Sequence, residues 1–190
     1  MKTIIINGNP NNSSFCYAIH ERYRDAAIKA GHEVRDIYVG EIDFNVNLTN
    51  QKPSDLEAEL LEAWAKIEWA EHIIWVYPVW WGIPPAIMKG FIDRLFLPGL
   101  AYEYQEGKPF PKPLLKGKTS EIIYTMDTPV WYYKLAYKNI GVRLLKNNVG
   151  AFCGIRHKRT TYFSAMKSST PGIREKWLKK VEILARLTNV

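Results

Sequence analysis

Residues 70–96, AEHIIWVYPVWWGIPPAIMKGFIDRLF, constrain the fold of this chain more than any other stretch. Positions 72–77 form a run of apolar, β-branched and aromatic residues, the composition of a strand covered on both faces. Pro78 ends the run, because proline has no N–H to donate to a ladder. Pro84 and Pro85 suit the first turn of a helix, where that N–H is unpaired anyway. Ile87, Met88, Phe91, Ile92, Leu95 and Phe96 then recur on one helical face. Between the two elements lie Val79, Trp80, Trp81 and Gly82. In an open α/β sheet the crevice beyond the strands' carboxyl ends is where ligands bind. Two tryptophans there either line such a crevice or fill the gap between helix and sheet.

The rest of the chain repeats this strand-then-helix pattern. Positions 2–7, with Ile4, Ile5 and Ile6 in succession, read as a first strand, and a helical period follows from Phe15 to a stop at Gly31. Positions 33–38 read as a second strand, and 39–53 as a polar surface loop. Ser54 and Glu57 have the spacing of a capping box for a helix carrying Leu56, Leu60, Leu61, Trp64 and Ile67. Positions 97–117 form a long excursion rich in Pro and Lys. A fourth strand is expected at 119–126, and a helix opening at 127–129 and reaching about 145. A fifth strand is expected at 150–155, with a further extended piece at 160–166. Thr170 and Pro171 make an N-cap and first-turn pair for the last helix, with Ile173, Trp177, Val181 and Leu184 on one face. Five strands alternating with five helices predict a single α/β domain over 1–190, a three-layer sandwich on a parallel sheet.

Composition excludes several classes. Apolar residues make up 47% of the chain, too many for a disordered segment, and no apolar run reaches the 18 residues of a membrane span. The apolar run in MKTIIINGNP is too short for a secretory signal, so the cytoplasm is the expected location. Cys16 and Cys153 match no zinc or redox spacing and read as free thiols, and no metal site is expected. Residues 1–95 carry nine Lys and Arg against thirteen Asp and Glu, whereas 96–190 carry seventeen against six. The basic residues are dispersed, apart from HKR at 157–159, and no nucleic-acid-binding motif accompanies them, so they read as solvated surface.

Three loops leave the carboxyl ends of strands one, three and four. The first, GNPNNSS at 8–14, opens a helix whose N-terminus offers unpaired N–H groups and positive dipole charge, with Ser13 and Ser14 as hydroxyl donors. It is neither a Walker A loop nor G-x-G-x-x-G, since Gly8 is its only glycine, so triphosphatase and dinucleotide-binding readings are disfavoured. Serines acting only as helix caps remain the alternative. The second loop is aromatic. The third, Thr125-Met126-Asp127-Thr128-Pro129, is small and polar. A phosphate pocket, an aromatic shelf and small polar donors together suit a planar cofactor with a phosphorylated tail, and flavin meets that description.

These residues resemble the flavodoxin-like NAD(P)H quinone reductases, the family of DT-diaphorase, modulator of drug activity B and the quinone reductase accompanying a potassium-efflux system. Pro78, Val79, Trp80, Trp81 and Gly82, followed by PAIMKGF at 85–91 and DRLF at 93–96, are similar to that family's flavin-ring loop and following helix. Asn9, Ser13, Ser14 and Phe15 are similar to its phosphate loop, although Cys16 stands where Asn or Thr is usual. Thr125, Met126, Asp127 and Thr128 stand where many members carry Thr-Thr-Gly-Gly, so Asp127 must turn away from the flavin or be paired. Tyr132 and Tyr133 lie in the region of the family's catalytic tyrosine at a different spacing, and no catalytic residue is assigned.

The resemblance implies a flavodoxin-like sandwich with strand order 2-1-3-4-5 and flavin at the switch point. It implies hydride transfer from NAD(P)H through the flavin to a quinone or similar acceptor, FMN being favoured over FAD because the first loop accounts for one phosphate. It also implies a homodimer in which the partner's loop covers the flavin. Leu97, Leu100, Tyr102, Tyr104 and Phe110 in the long excursion, and the chain's seven tryptophans, point to an interface in their own right. Two other classes compete, a flavodoxin-like electron carrier and a regulatory subunit docked on a transporter. Carriers are usually acidic, and this chain is +7.

Overall fold

Ile4, Ile5 and Ile6 of the first strand face alternate sides of the sheet, and the layers follow from that alternation. The computed structural model describes residues 1–49 and 52–187. In chain order it contains β1 (Lys2–Asn7), α1 (Phe15–Lys29), β2 (Glu33–Tyr38), α2 (Ala58–Trp69), β3 (His72–Pro78) and α3 (Ala86–Leu95). A short hairpin of β4 (Tyr102–Glu103) and β5 (Lys112–Pro113) precedes β6 (Thr119–Thr125). Then come α4 (Val130–Leu135), α5 (Ile140–Arg143), a π-helical segment (Leu144–Ala151), β7 (Arg156–Phe163) and α6 (Pro171–Arg186).

The main sheet is ordered β2-β1-β3-β6-β7, with every pairing parallel. Counted within that sheet alone, this is the expected 2-1-3-4-5 order. Ile4, Ile6, Ile73, Trp75, Tyr77, Ile122 and Tyr124 face one apolar core with α2 and α3. Ile5, Ile74, Val76 and Ile123 face the other, with α1 and α6. Period-two alternation with both faces covered is why these strands are apolar throughout. Each fully buried isoleucine contributes about 1.5–3 kcal/mol relative to exposure. The parallel order leaves the β1–α1, β3–α3 and β6–α4 loops side by side at the carboxyl edge.

Several local expectations are corrected. The fifth strand is β7 at Arg156–Phe163, not 150–155; Gly150 and Ala151 end the π-helical segment, and the residues after it bury Cys153 and Ile155 in the core. Positions 160–163 of the further extended piece therefore belong to β7 itself. The predicted helix to 145 is broken, because Lys138 and Asn139 take left-handed backbone angles (φ 51° and 53°) between α4 and α5. Pro84 and Pro85 precede α3 rather than occupying its first turn, with Pro85 extended at the N-cap (φ −54°, ψ 152°). The capping box does not form: α2 begins at Ala58, and Glu57 instead receives both guanidinium nitrogens of buried Arg94 on α3. Leu97 is buried, and Leu100 and Tyr102 pack against the chain's own core, leaving Tyr104 and Phe110 exposed. The N-cap at Thr170 forms as expected, its Oγ1 accepting from the Ile173 N–H at 3.3 Å.

Candidate functional site

The β1–α1 loop is held by a ladder of asparagine turns. The Asn7, Asn9 and Asn11 side-chain oxygens accept from the N–H groups of Asn9, Asn11 and Ser13, each two residues on, at 2.8–3.0 Å. This is the local bonding that favours asparagine in turns. Gly8 is required by packing rather than by backbone angle, since a Cβ there would lie 2.2 Å from Met88 Sδ. The loop delivers Ser14 to the N-cap of α1, where its Oγ accepts from the Tyr17 N–H at 3.3 Å. An oxygen that accepts from Tyr17 still carries its own proton for an outside acceptor. The N–H groups of Phe15 and Cys16 come before the first intrahelical bond. The first turn carries no acidic residue, so nothing offsets the positive end of the helix dipole. Beneath the loop, Asn7 Nδ2 is buried without a hydrogen-bond partner.

Ser13 is exposed and Asn9 half-buried in this loop, whereas the side chains of Phe15 and of Cys16, the latter given no binding role from the sequence, turn inward. The Phe15 ring packs between Phe163 and Trp177, at centroid distances of 6.5 and 5.9 Å, so only its backbone faces the crevice. Cys16 Sγ lies 3.4 Å from Thr125 Oγ1 on β6, and burial raises its pKa to about 11 against the lowering effect of its Thr125 and Asn9 hydrogen bonds.

The β3–α3 loop is a two-residue reverse turn. Trp80 and Ile83 exchange both backbone hydrogen bonds, at 2.9 and 3.1 Å, around Trp81 (φ 50°) and Gly82 (φ 87°). Positive φ at both central residues is the type I′ pattern, which normally selects Asn and Gly. Tryptophan in the first position costs about 1–2 kcal/mol. Its side chain is 98% exposed and that of Trp80 48%, so neither fills the gap between helix and sheet. Pro78 and Gly82 are buried, and Val79 donates its N–H to the Thr125 carbonyl at 2.8 Å, tying the second loop to the third. Both tryptophans line an apolar cleft of about 540 Å³ together with Val46, Ile83, Pro85 and Lys89.

In the β6–α4 loop, Thr125 and Met126 are buried and Met126 points into the core, while Asp127 is exposed and Thr128 half-buried. Asp127 is paired. Its Oδ1 accepts from the Lys167 N–H at 2.7 Å, and Oδ2 lies 3.7 Å from Lys167 Nζ. The loop after β7 is thereby tied to the β6–α4 loop, a link that local sequence does not encode.

Tyr133 is the residue that sequence reasoning left without a role. It is 1% exposed, donates to the Gly82 carbonyl at 2.8 Å and accepts from the Gly141 N–H at 3.0 Å. No local pattern reveals a contact spanning 51 positions. Around it, Trp131, Tyr132, Leu135, Tyr137 and Ile140 are exposed; the first two and Tyr137 are in ring contact, and Tyr137 and Ile140 lie against Gly82 of the tryptophan turn. Among the described residues no group of His, Cys, Asp and Glu is arranged to hold a metal, and no helix is long and apolar enough to cross a membrane.

Residues 1–184 match the family model described as "Flavodoxin-like fold". An uncharacterized NAD(P)H oxidoreductase of Haemophilus influenzae is 32% identical over 177 residues, covering 83% of this chain and 80% of that protein. The rat NAD(P)H dehydrogenase [quinone] 1 is 23% identical over 211 residues, covering 95% and 76%. Among solved structures, Smu.1420 from Streptococcus mutans superposes with a TM-score of 0.85 at 28% identity, covering all of both chains. The chain belongs to the flavodoxin-like family, within its group of NAD(P)H oxidoreductases and quinone reductases, and is an oxidoreductase.

Proposed function

We propose that this oxidoreductase binds flavin, FMN rather than FAD, at the carboxyl edge of its sheet and passes reducing equivalents from NAD(P)H to a quinone or a similar planar acceptor. The observation that carries this reading is that the parallel strand order sets an α1 N-terminus free of acidic residues and the turn bearing the exposed Trp81 indole at the same carboxyl edge of the sheet. A flavin phosphate would be held by the Phe15 and Cys16 amides and the hydroxyls of Ser13 and Ser14. The orphaned Asn7 amide beneath that loop is a further donor on the same side. One such pocket serves one phosphate, which favours FMN. When bound, the flavin supplies the two-electron chemistry between donor and acceptor.

The chain's part is to hold and shield. Trp80 and Trp81 offer a flat apolar surface, and the backbone of the loop beginning at Thr125 offers polar contacts to a ring edge. Asp127, engaged by Lys167, is kept from placing a free negative charge beside a ring that gains electrons. The exposed border of Trp131, Tyr132, Leu135 and Tyr137 is the surface we assign to a second copy of this chain, which would roof the crevice. A roofed slot admits donor and acceptor in turn, giving ping-pong kinetics.

The test is titration of the purified protein with FMN and FAD, followed by NADH and NADPH consumption with a soluble quinone. Flavin uptake with sustained turnover supports the reading. Uptake without turnover would point instead to an electron carrier or a docking subunit, and a protein that takes neither flavin would sink it.

A further inference from the structure

The Trp81 backbone is strained and its indole is fully exposed, so nothing on its own side chain keeps it in place. A left-handed residue of this size persists only when its surroundings over-determine the turn. Those surroundings are visible. The Tyr133 hydroxyl bonds the Gly82 carbonyl at 2.8 Å from inside the core. The Tyr137 ring lies where a Cβ on Gly82 would come within 2.9 Å, and Tyr137 itself stacks on Tyr133 at 5.8 Å. Gly141 permits the arrangement, since a Cβ there would fall 2.7 Å from the Tyr133 hydroxyl and 3.1 Å from the Gly82 carbonyl. Neighbouring Tyr77 buries its hydroxyl without a partner, whereas that of Tyr133 is bonded twice.

We infer that Tyr133 is a positioning residue for the flavin shelf: its hydroxyl, bonded to Gly82, holds the left-handed turn of residues 80–83 and thereby keeps the Trp81 indole out at the crevice. This deepens the proposed function and rests on it for the ligand, though the turn itself is a property of the chain alone. Tyr133 is buried behind the turn, so it acts through Trp81 and not on the substrate. Its hydroxyl is fully committed to backbone groups and is not available as an acid.

Tyr133→Phe keeps the ring and removes both hydrogen bonds. In the flavin-free protein, amide exchange at Trp80 and Ile83, whose N–H groups close the turn, is expected to quicken about tenfold, the equivalent of one lost hydrogen bond. Exchange at core Ile5 and Ile123 should stay as in the wild type. In titrations the same variant should bind FMN about tenfold more weakly. In a Trp81→Ala background the same change should alter affinity less than about twofold, because the indole it positions is gone. Unchanged exchange at Trp80 and Ile83 would overturn the inference, and so would an equal loss of FMN affinity in both backgrounds. A wild-type protein that takes up no flavin would defeat the proposed function, and the exchange measurement would still decide whether Tyr133 holds the turn.

Discussion

Cys16 Sγ lies 3.4 Å from Thr125 Oγ1, joining the first turn of α1 to the end of β6 directly beneath the crevice. The thiol is thus directed into the protein, leaving only the backbone of Cys16 to face the loop. Burial holds its pKa at about 11 and that of Cys153 at about 12. Since the thiolate is the reactive species, neither should react in the native state. Ellman's reagent at pH 8 is expected to modify no thiol in the folded protein and both in denaturant. Rapid modification of Cys16 in the native protein would contradict this arrangement.

Ser14 has two separable tasks, capping α1 and donating to an anion. Ser14→Ala loses both and should cost about 1 kcal/mol of stability through the cap. Ser14→Gly retains most of the capping preference, at a cost of only a few tenths of a kcal/mol. It still lacks the hydroxyl. The expected pattern is therefore equal weakening of FMN binding in both variants with a stability loss mainly in Ser14→Ala. If Ser14→Gly binds FMN like the wild type, the serine is only a cap.

Trp81→Gly places the residue best suited to positive φ where the strain lies. An exposed indole takes little packing with it, so unfolding free energy should stay level or rise by up to about 1 kcal/mol. A core tryptophan would instead cost about 3–5 kcal/mol on truncation. Urea unfolding of the flavin-free protein distinguishes the two. A loss in the core range would show that Trp81 packs against the chain more than its exposure indicates.

His72 and Glu121 form a buried titrating pair at the opposite end of the sheet. His72 is bonded through Nδ1 to Thr119 at 2.6 Å, and Nε2 stands 3.8 Å from Glu121, too far for a hydrogen bond. Arg159 binds both Glu121 oxygens, and Lys158 and His32 complete the charged surroundings. Burial, then the nearby Lys158 and Arg159, lowers the His72 pKa to about 3. The unfolded chain therefore binds a proton that the folded chain refuses, and stability falls with pH from about 6.5 down to about 3. Burial raises Glu121 in spite of Arg159, so its contribution runs the other way, full at low pH and lost as pH rises through the folded value. Comparing wild type with His72→Gln isolates the imidazole. The wild type should lose about 1.4 kcal/mol per pH unit relative to the variant across that window. Parallel stability profiles for the two proteins would refute a neutral His72.

The sheet was legible because β1, β3 and β6 are covered on both faces, which turns a strand into an apolar run such as Ile4-Ile5-Ile6. β7 was misplaced for the same physical reason in reverse. It lies at the sheet's edge, and its sequence RHKRTTYF is polar and partly exposed. The more apolar stretch before it runs from the end of a π-helical segment, a conformation with no sequence signal of its own, through a helical turn into β7. All three of the loops leaving β1, β3 and β6 could be read from composition, whereas the loop after β7 that engages Asp127 could not. What could not be read were long-range partners: Arg94 drawing Glu57 away from its cap, Lys167 pairing Asp127, and Tyr133 reaching Gly82. Each is set by tertiary contact, which local spacing does not encode.

The long excursion expected to supply an interface folds largely onto its own chain, with Leu97 buried and Leu100 and Tyr102 packed on the core. The apolar surface left over lies elsewhere, on α4 and the tryptophan turn: Trp131, Tyr132, Leu135, Tyr137, Trp80 and Trp81 are all exposed, and Trp131, Tyr132 and Tyr137 are in ring contact. Leu135 is 73% exposed and makes little contribution to the fold, so a charge there should leave the monomer intact. In an interface core the same charge would have to be desolvated without a partner. Leu135→Glu is therefore expected to convert a dimer at micromolar concentration into a monomer with an unchanged thermal midpoint of the core. If the roof of the crevice comes from the second copy, quinone turnover should fall with the dimer while some flavin remains bound. Light scattering with and without FMN reads the first effect, and steady-state assays across a protein dilution series read the second. A wild-type protein that is monomeric under both conditions, with turnover intact, would place the whole crevice within one chain.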